Sequence, residues 1–309
     1  MINNVFIFIV ALYLVIRGAT LATTYAGSLA EGFRLSKYTV GFIIVAIISI
    51  LPETAISIQA AVSGIPAFGL GMLFGSNIAD LTLVFAVIIW HAGRSLKVES
   101  KILKNHVVYP FLLLLPLILG ADGYLSRLEG AALIVVGVVF YVLAFRNGTN
   151  DKRTVPSGHR MLKSFFMLVF GMVLLLFGAH FTVTSASSVA LALGISPILV
   201  GMLIVGLGTT MPELFFSLRS MKKRDDSLAI GDLLGTVLAD ATIVVGILAL
   251  VNPFSFPQRI IYVTGAFMLV AAIVLFQFMR SGRSISKKEA WFLFAFWLAF
   301  VIVEFLVNR

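Results

Sequence analysis

The feature that most restricts this chain is its succession of long apolar stretches, separated by short polar connections from one end to the other. A helix of about 20 apolar residues is what crosses the roughly 30 Å hydrocarbon core of a bilayer. With no water there to satisfy backbone groups, only helices and closed barrels survive, and the alternating pattern of barrel strands is missing. Composition agrees: 60% of the 309 residues are hydrophobic and 12% are charged, against about 25% charged in soluble domains. The expected fold is therefore an all-α polytopic membrane protein. Ten spans are placed near residues 4–29, 40–63, 67–90, 106–119, 128–145, 161–190, 196–218, 228–251, 260–279 and 288–307. The opening run "MINNVFIFIVALYLVI" has neither a basic leader nor a small-residue cleavage site, and is read as the first span.

Basic residues supply the orientation. Of the 23 lysines and arginines, 19 fall in the connections after spans 1, 3, 5, 7 and 9. Short loops rich in Lys and Arg stay cytoplasmic. The expectation is a multi-pass protein of the cell (plasma) membrane, with both termini outside and the long connection 146–160 in the cytoplasm. The same reading accounts for the net charge of +9 without a nucleic-acid partner. The absence of cysteine excludes disulfides and thiolate metal sites.

The chain is also one pattern written twice. A single ungapped displacement pairs Glu53 with Glu213, Asp80 with Asp240, Pro52 with Pro212, Gly18 with Gly178, Ser57 with Ser217, Gly71 with Gly231 and Gly75 with Gly235. Residues 1–145 form the first five-span repeat, 146–160 a cytoplasmic linker, and 161–309 the second repeat. An odd number of spans per copy makes the second enter the membrane upside down. Inverted-topology repeats with interrupted helices in matching places mark a secondary transporter.

The interruptions carry the chemistry. In "IISILPETAISI" and "GLGTTMPELFFSL" a proline and a glutamate stand inside apolar spans. Proline removes a backbone donor and disrupts the preceding turn. In a membrane, carbonyls freed this way persist only where they line a cavity or bind something. An intramembrane carboxylate must be paired, protonated or coordinated. With Ser49, Thr209 and Thr210 nearby, the groups make a hard-oxygen set suited to calcium, magnesium, sodium or protons. The second interrupted spans, "GLGMLFGSNIADLTLVF" and "IGDLLGTVLADATIVVG", place Ser76 with Asp80 and Thr236 with Asp240 four apart, on one helical face. Symmetry brings Glu53, Glu213, Asp80 and Asp240 towards one midplane point. Without a cation such carboxylates repel, and some would hold protons that a divalent cation displaces. That competition is antiport in outline.

These residues resemble the cation/calcium exchanger superfamily, whose two alpha-repeats carry G-T-S-L-P-E-like and G-S-N-I-A-D-like motifs. "GTTMPEL" is similar to the first, and "GSNIADL" matches the second almost residue for residue. The resemblance implies that Glu53 and Glu213 coordinate calcium with Ser49 and Thr209. It implies that Thr210, Ser76 and Thr236 shape flanking sodium sites, and that spans 1 and 6, here carrying Gly18–Ala19 and Gly178–Ala179, slide as a gate against a fixed core. The chain departs from the family in two places. Ile50 stands where sodium exchangers keep a hydroxyl, so one of two symmetric sodium sites is expected to be damaged. Both midplane positions, Asp80 and Asp240, are aspartate, where sodium/calcium exchangers keep at least one asparagine. These departures tilt the expected coupling towards protons, although the G-N-x-x-E motif of the proton branch is missing.

The expected function is thus calcium extrusion driven by proton entry, with sodium/calcium exchange, potassium-dependent or not, as the alternative. A cation channel would use the same acids without coupling. An intramembrane protease lacks its Tyr-Asp or Gly-x-Gly-Asp surroundings, so no enzyme is expected. No cofactor, nucleic acid or obligate protein partner is implied; the partners are calcium, its counter-cation and the lipid bilayer. Other polar residues have plainer readings. Arg17 either pairs with an acid or snorkels, and His180, opposite Thr20 in the repeat, is a relay or a satisfied structural histidine. Asp225 and Asp226 read as a solvated loop, Asp122 and Glu129 as loop polarity. Asp232, opposite Met72, either lines the cytoplasmic approach or caps the helix after the loop.

Overall fold

The structure, a computed structural model, describes residues 2–30, 40–99, 108–146 and 158–307. Most of the expected linker 146–160, and the basic residues Arg34, Lys37, Lys101, Lys104, Lys152, Arg153 and Arg309, lie outside the described residues. Within them the chain falls into helical segments that follow the expected spans to within a few residues. These are α1 (Ile2–Ala30), α2 (Ala46–Val62, led in by a π turn at Val40–Val45), α3 (Pro66–Ala92), α4 (Val108–Leu119), α5 (Arg127–Arg146), α6 (Gly158–Leu193), α7 (Pro197–Lys222), α8 (Asp226–Val251), α9 (Ile260–Gly282) and α10 (Lys287–Val307). By length and composition, seven of them can cross a membrane, and α2, α4 and the apolar part of α1 (Asn3–Gly18) are shorter.

The repeat is written in the backbone as well as in the residues. α3 and α8 each contain a π turn beginning on the paired aspartates, Asp80–Val84 and Asp240–Val244. A further pair of π turns, Val40–Val45 and Gly201–Val205, precedes the breaks in α2 and α7. Ser126 and Glu129 form a capping box at the start of α5, with Glu129 Oε2 accepting from the Ser126 N–H and Oγ at 2.8 Å. Ser286 and Glu289 repeat it at the start of α10, at 2.7 Å. Strand β1 (Leu96–Lys97) pairs with β4 (Ser284–Ile285), and β2 (Tyr124–Leu125) with β3 (Phe254–Ser255), both antiparallel. Since β2 and β4 are repeat equivalents, each clip ties one half of the chain to the other.

Glycine lets the two halves approach closely. A Cβ added at Gly75 of α3 would stand 2.1 Å from the Met202 carbonyl oxygen in α7, and one at Gly235 of α8 would stand 2.3 Å from that of Phe42. Small residues at crossings are how membrane helices gain packing when lipid is as apolar as leucine. α3 and α8 are buried for most of their length. In contrast, α5, α6 and α10 present Val135, Val142, Phe166, Phe177, Trp291 and Leu306 outward. An apolar exterior of this extent suits hydrocarbon, and would be a liability in water. α1 and α6 pack along each other, crossing at Gly18 and Gly178.

Candidate functional site

The two Pro-Glu segments break their helices in the same way. In α2 the turn Ala46–Ser49 ends at Ile50 (φ −72°, ψ 0°), and helix resumes at Leu51 with Pro52 in its first turn. In α7 the turn Gly206–Thr209 ends at Thr210 (φ −68°, ψ −11°), and helix resumes at Met211 with Pro212. Proline is well placed in a first turn because its missing N–H would have no helical partner there. For the same reason Pro52 and Pro212 return no bond to the carbonyls of Ile48 and Gly208. Glu53 and Glu213 follow at once, in the first turn of the new half-helix, where the aligned peptide dipoles favour negative charge.

All nine residues expected at the site are buried, none more than 1% exposed. The break of α2 packs on the first half of α8, and the break of α7 on the first half of α3, so each Pro-Glu segment meets the aspartate helix of the other repeat. Glu53, Glu213, Asp80 and Asp240 are thus carried on the four helices that meet at these two crossings. The hydroxyl of Thr209 donates to the Gly206 carbonyl at 3.0 Å. Thr210 Oγ1 also donates to Gly206 O, at 2.8 Å, and Ser76 Oγ to Leu73 O, at 3.0 Å. Among the described residues no three acidic or histidine side chains close on a single point. A cation in this region would therefore share its coordination between one or two carboxylates and neutral oxygens.

The unpaired polar atoms are concentrated here. Glu53 Oε2, Asp80 Oδ1, both carboxylate oxygens of Glu213 and both of Asp240 are buried without a hydrogen-bond partner, as is Thr236 Oγ1. Buried polar groups are nearly always paired, and leaving one unpaired costs about 1–3 kcal/mol, more when it is charged. Carboxylate oxygens that no donor reaches, with a free hydroxyl among them, are an arrangement a positive ion completes.

Several residues stand differently from their plain readings. Asp232 caps nothing: α8 begins two turns earlier, and the side chain is fully buried beside Ser49, whose Oγ donates to its Oδ1 at 3.1 Å. Asp226 is no solvated loop residue. It is buried and gripped by both Nη atoms of Arg94, at 2.6 and 2.7 Å, and by the Lys97 N–H at 2.9 Å. Those hydrogen bonds raise the Arg94 pKa above its usual value. His180 is exposed, edge-on to Phe181, which does not suit a relay into the core. Arg17 faces outward with its guanidinium over the Tyr13 ring, as a snorkelling side chain does. Ser57, Ser217 and Asn77 Oδ1 are further buried polar atoms without partners. Their signal in the sequence was a serine kept in both repeats and an asparagine inside the second motif.

The two ends of the assembly differ. On one face a cavity of about 440 Å³ is lined by the α2–α3 turn, the α6–α7 turn and residues 252–255. The repeat equivalents of Pro66 and Phe254 are Asp226 and Arg94, and on the other face these two are locked together. Ser227 Oγ adds a 2.5 Å bond to Glu99 beside them.

Comparison with known proteins agrees with this architecture. The sequence profile described as "Sodium/calcium exchanger protein" matches residues 3–146 and again residues 163–306. CaxA of Alkalimonas amylolytica is 31% identical over 259 residues, covering 79% of this chain and 80% of that protein. The sodium/calcium exchanger MaX1 of Methanosarcina acetivorans is 23% identical, covering 98% of this chain and 99% of its own length. Among solved structures, the sodium-calcium exchanger NCX_Mj superposes with a TM-score of 0.73 at 24% identity, over 100% of this chain and 99% of its own.

Proposed function

Since the chain belongs to the sodium/calcium exchanger protein family, and so exchanges calcium against another cation, we propose that Glu53 and Glu213 hold the calcium ion and that sodium is its counter-ion. The observation that carries this reading is the set of six unpartnered carboxylate oxygens on Glu53, Glu213, Asp80 and Asp240. Two glutamates balance the charge of one calcium ion, and carbonyls at the helix breaks with the hydroxyls of Ser49 and Thr209 extend its oxygen shell towards the six to eight ligands such an ion takes. The neutral groups support sodium as the counter-ion. Thr236, Ser57 and Ser217 hydroxyls and the Asn77 amide oxygen are buried and unpartnered on the four helices that carry the carboxylates. Neutral hard oxygens of this kind are ligands that an alkali cation accepts.

Proton coupling is the second reading, and the pair Asp80 and Asp240 favours it, since each can carry a proton as calcium leaves. In either case α1 and α6, packed on each other, slide as a unit across the site, with the cavity at one end and the Arg94–Asp226 clasp at the other marking one of two alternating states. Under the charge bias of the loops that cavity faces outward, and calcium leaves the cell through it.

Radiolabelled calcium uptake into proteoliposomes tests the proposal. An outward sodium gradient should drive uptake, an acid-inside gradient should not, and Glu213→Gln should abolish it while the protein still folds. Uptake driven only by the pH gradient would reverse the assignment of counter-ion, and unchanged transport by Glu213→Gln would sink the calcium site.

A further inference from the structure

α3 and α8 are repeat equivalents, but tyrosine hydroxyls from two neighbouring helices reach the backbone of α8. Tyr109 of α4 donates to the Leu234 carbonyl at 2.8 Å, and Tyr141 of α5 donates to that of Gly235 at 2.5 Å. Both tyrosines are buried, at 1% and 5% exposure. Their rings are held in turn. That of Tyr109 lies 5.1 Å from Phe276 of α9, and that of Tyr141 lies 5.6 Å from Phe42, whose own carbonyl Gly235 approaches. The repeat counterparts of the two tyrosines are Leu269 and Val301, which have no hydroxyl to offer α3.

Successive residues of a helix are turned by about 100° around its axis. The adjacent carbonyls of Leu234 and Gly235 therefore face different sides, and two donors on two helices fix the rotation of α8 as well as its depth. Apolar packing is non-directional and does this less well. Thr236 follows Gly235 directly, and Asp240 stands one turn beyond it on the same face. Groups that bind an ion have to be held to within about 0.5 Å by the contacts behind them. We propose that Tyr109 and Tyr141 are positioning residues of the transport site: they set the rotation of α8, and with it the direction in which Asp240 meets the ion between Glu53 and Glu213. The inference rests on the calcium-exchange reading above. Each carbonyl has two lone pairs, one for its helix N–H and one for the tyrosine. Removing a hydroxyl thus leaves the helix bond and the ring packing in place, and loosens the helix without orphaning a backbone group.

Tyr109→Phe, Tyr141→Phe and the double variant of the full chain test this in proteoliposomes. Each single variant should raise the calcium concentration for half-maximal uptake roughly fivefold, as loss of one hydrogen bond would, and the double variant should raise it further. Maximal rate and melting temperature should stay close to native. Tyr262→Phe, which removes an exposed hydroxyl 3.4 Å from Ala121 O, is the control and should change neither. Amide hydrogen exchange supplies a readout that needs no calcium: in the double variant it should quicken over residues 234–240 and not over the equivalent 74–80. An unchanged half-saturating concentration in the double variant would overturn the proposal. So would unchanged exchange over 234–240, or a fall in maximal rate and melting temperature with affinity intact, which marks a merely structural bond. Absence of calcium uptake by the native chain would instead count against the exchange reading, and amide exchange would then decide the seating of α8 by itself.

Discussion

Adding one methyl group at Gly75 should separate two helices that the site depends on. Its Cβ would lie 2.1 Å from Met202 O, 2.8 Å from that residue's carbonyl carbon and 2.9 Å from its Cα. All three are backbone atoms in the π turn of α7, so no side chain can swing aside, and the shortfall from ordinary contact is about 1 Å in a close-packed interior. Overpacking of this kind typically costs about 1–3 kcal/mol, and the absence of any flexible neighbour puts Gly75→Ala at the upper end. For a chain of this size that corresponds to a fall of roughly 3–5 °C in apparent melting temperature. Ser76 is the next residue, so calcium affinity should fall with stability. Gly235→Ala, 2.3 Å from Phe42 O and 2.5 Å from Ala46 Cβ, should behave alike in the other repeat. Gly282→Ala, whose nearest neighbour is Ser284 Oγ at 3.6 Å, is the control and should be neutral or slightly stabilising. Melting curves followed by tryptophan fluorescence in detergent, with calcium binding on the same samples, decide the matter. If Gly75→Ala melts with the native chain and binds calcium equally well, the close approach is not what holds α3 to α7.

Other expectations follow from single contacts. Arg94 and Asp226 should couple by about 1–2 kcal/mol in a double-mutant cycle read by thermal melting, and an additive cycle would mean that the clasp contributes nothing. Arg224 (φ 58°) and Arg283 (φ 50°) occupy left-handed conformations where their repeat equivalents are Gly64 and Gly123. Arg283→Gly should therefore stabilise by roughly 0.5–1 kcal/mol, and a lower melting temperature would show that its side chain outweighs the strain. The native chain has no cysteine, so single cysteines report topology directly. One at Gly148 should react with an impermeant thiol reagent only from the cytoplasmic side and one at Gly123 only from outside; the reverse pattern would invert the orientation.

What could be read from the residues alone was whatever is local or periodic. Apolar length marks a membrane helix, proline marks a break, and an ungapped displacement from Glu53 to Glu213 reveals the repeat, because each needs only the order of residues along one segment. The nine expected site residues came from that symmetry and from the family resemblance together, and each of the nine is buried. Which way a helix turns its polar groups is another matter, since rotation about its axis is set by the neighbours it packs against. Asp232 and Asp226 lie six residues apart in α8, and nothing local tells that one meets Ser49 in the core while the other is gripped by Arg94 at its edge. Arg17 and His180 sit in apolar runs as the acids do, yet both face outward. The inverted halves share a backbone plan, whereas the differences between them, Ile50 against Thr210 and Met72 against Asp232, acquire meaning only when the fold brings each beside a partner from the other half.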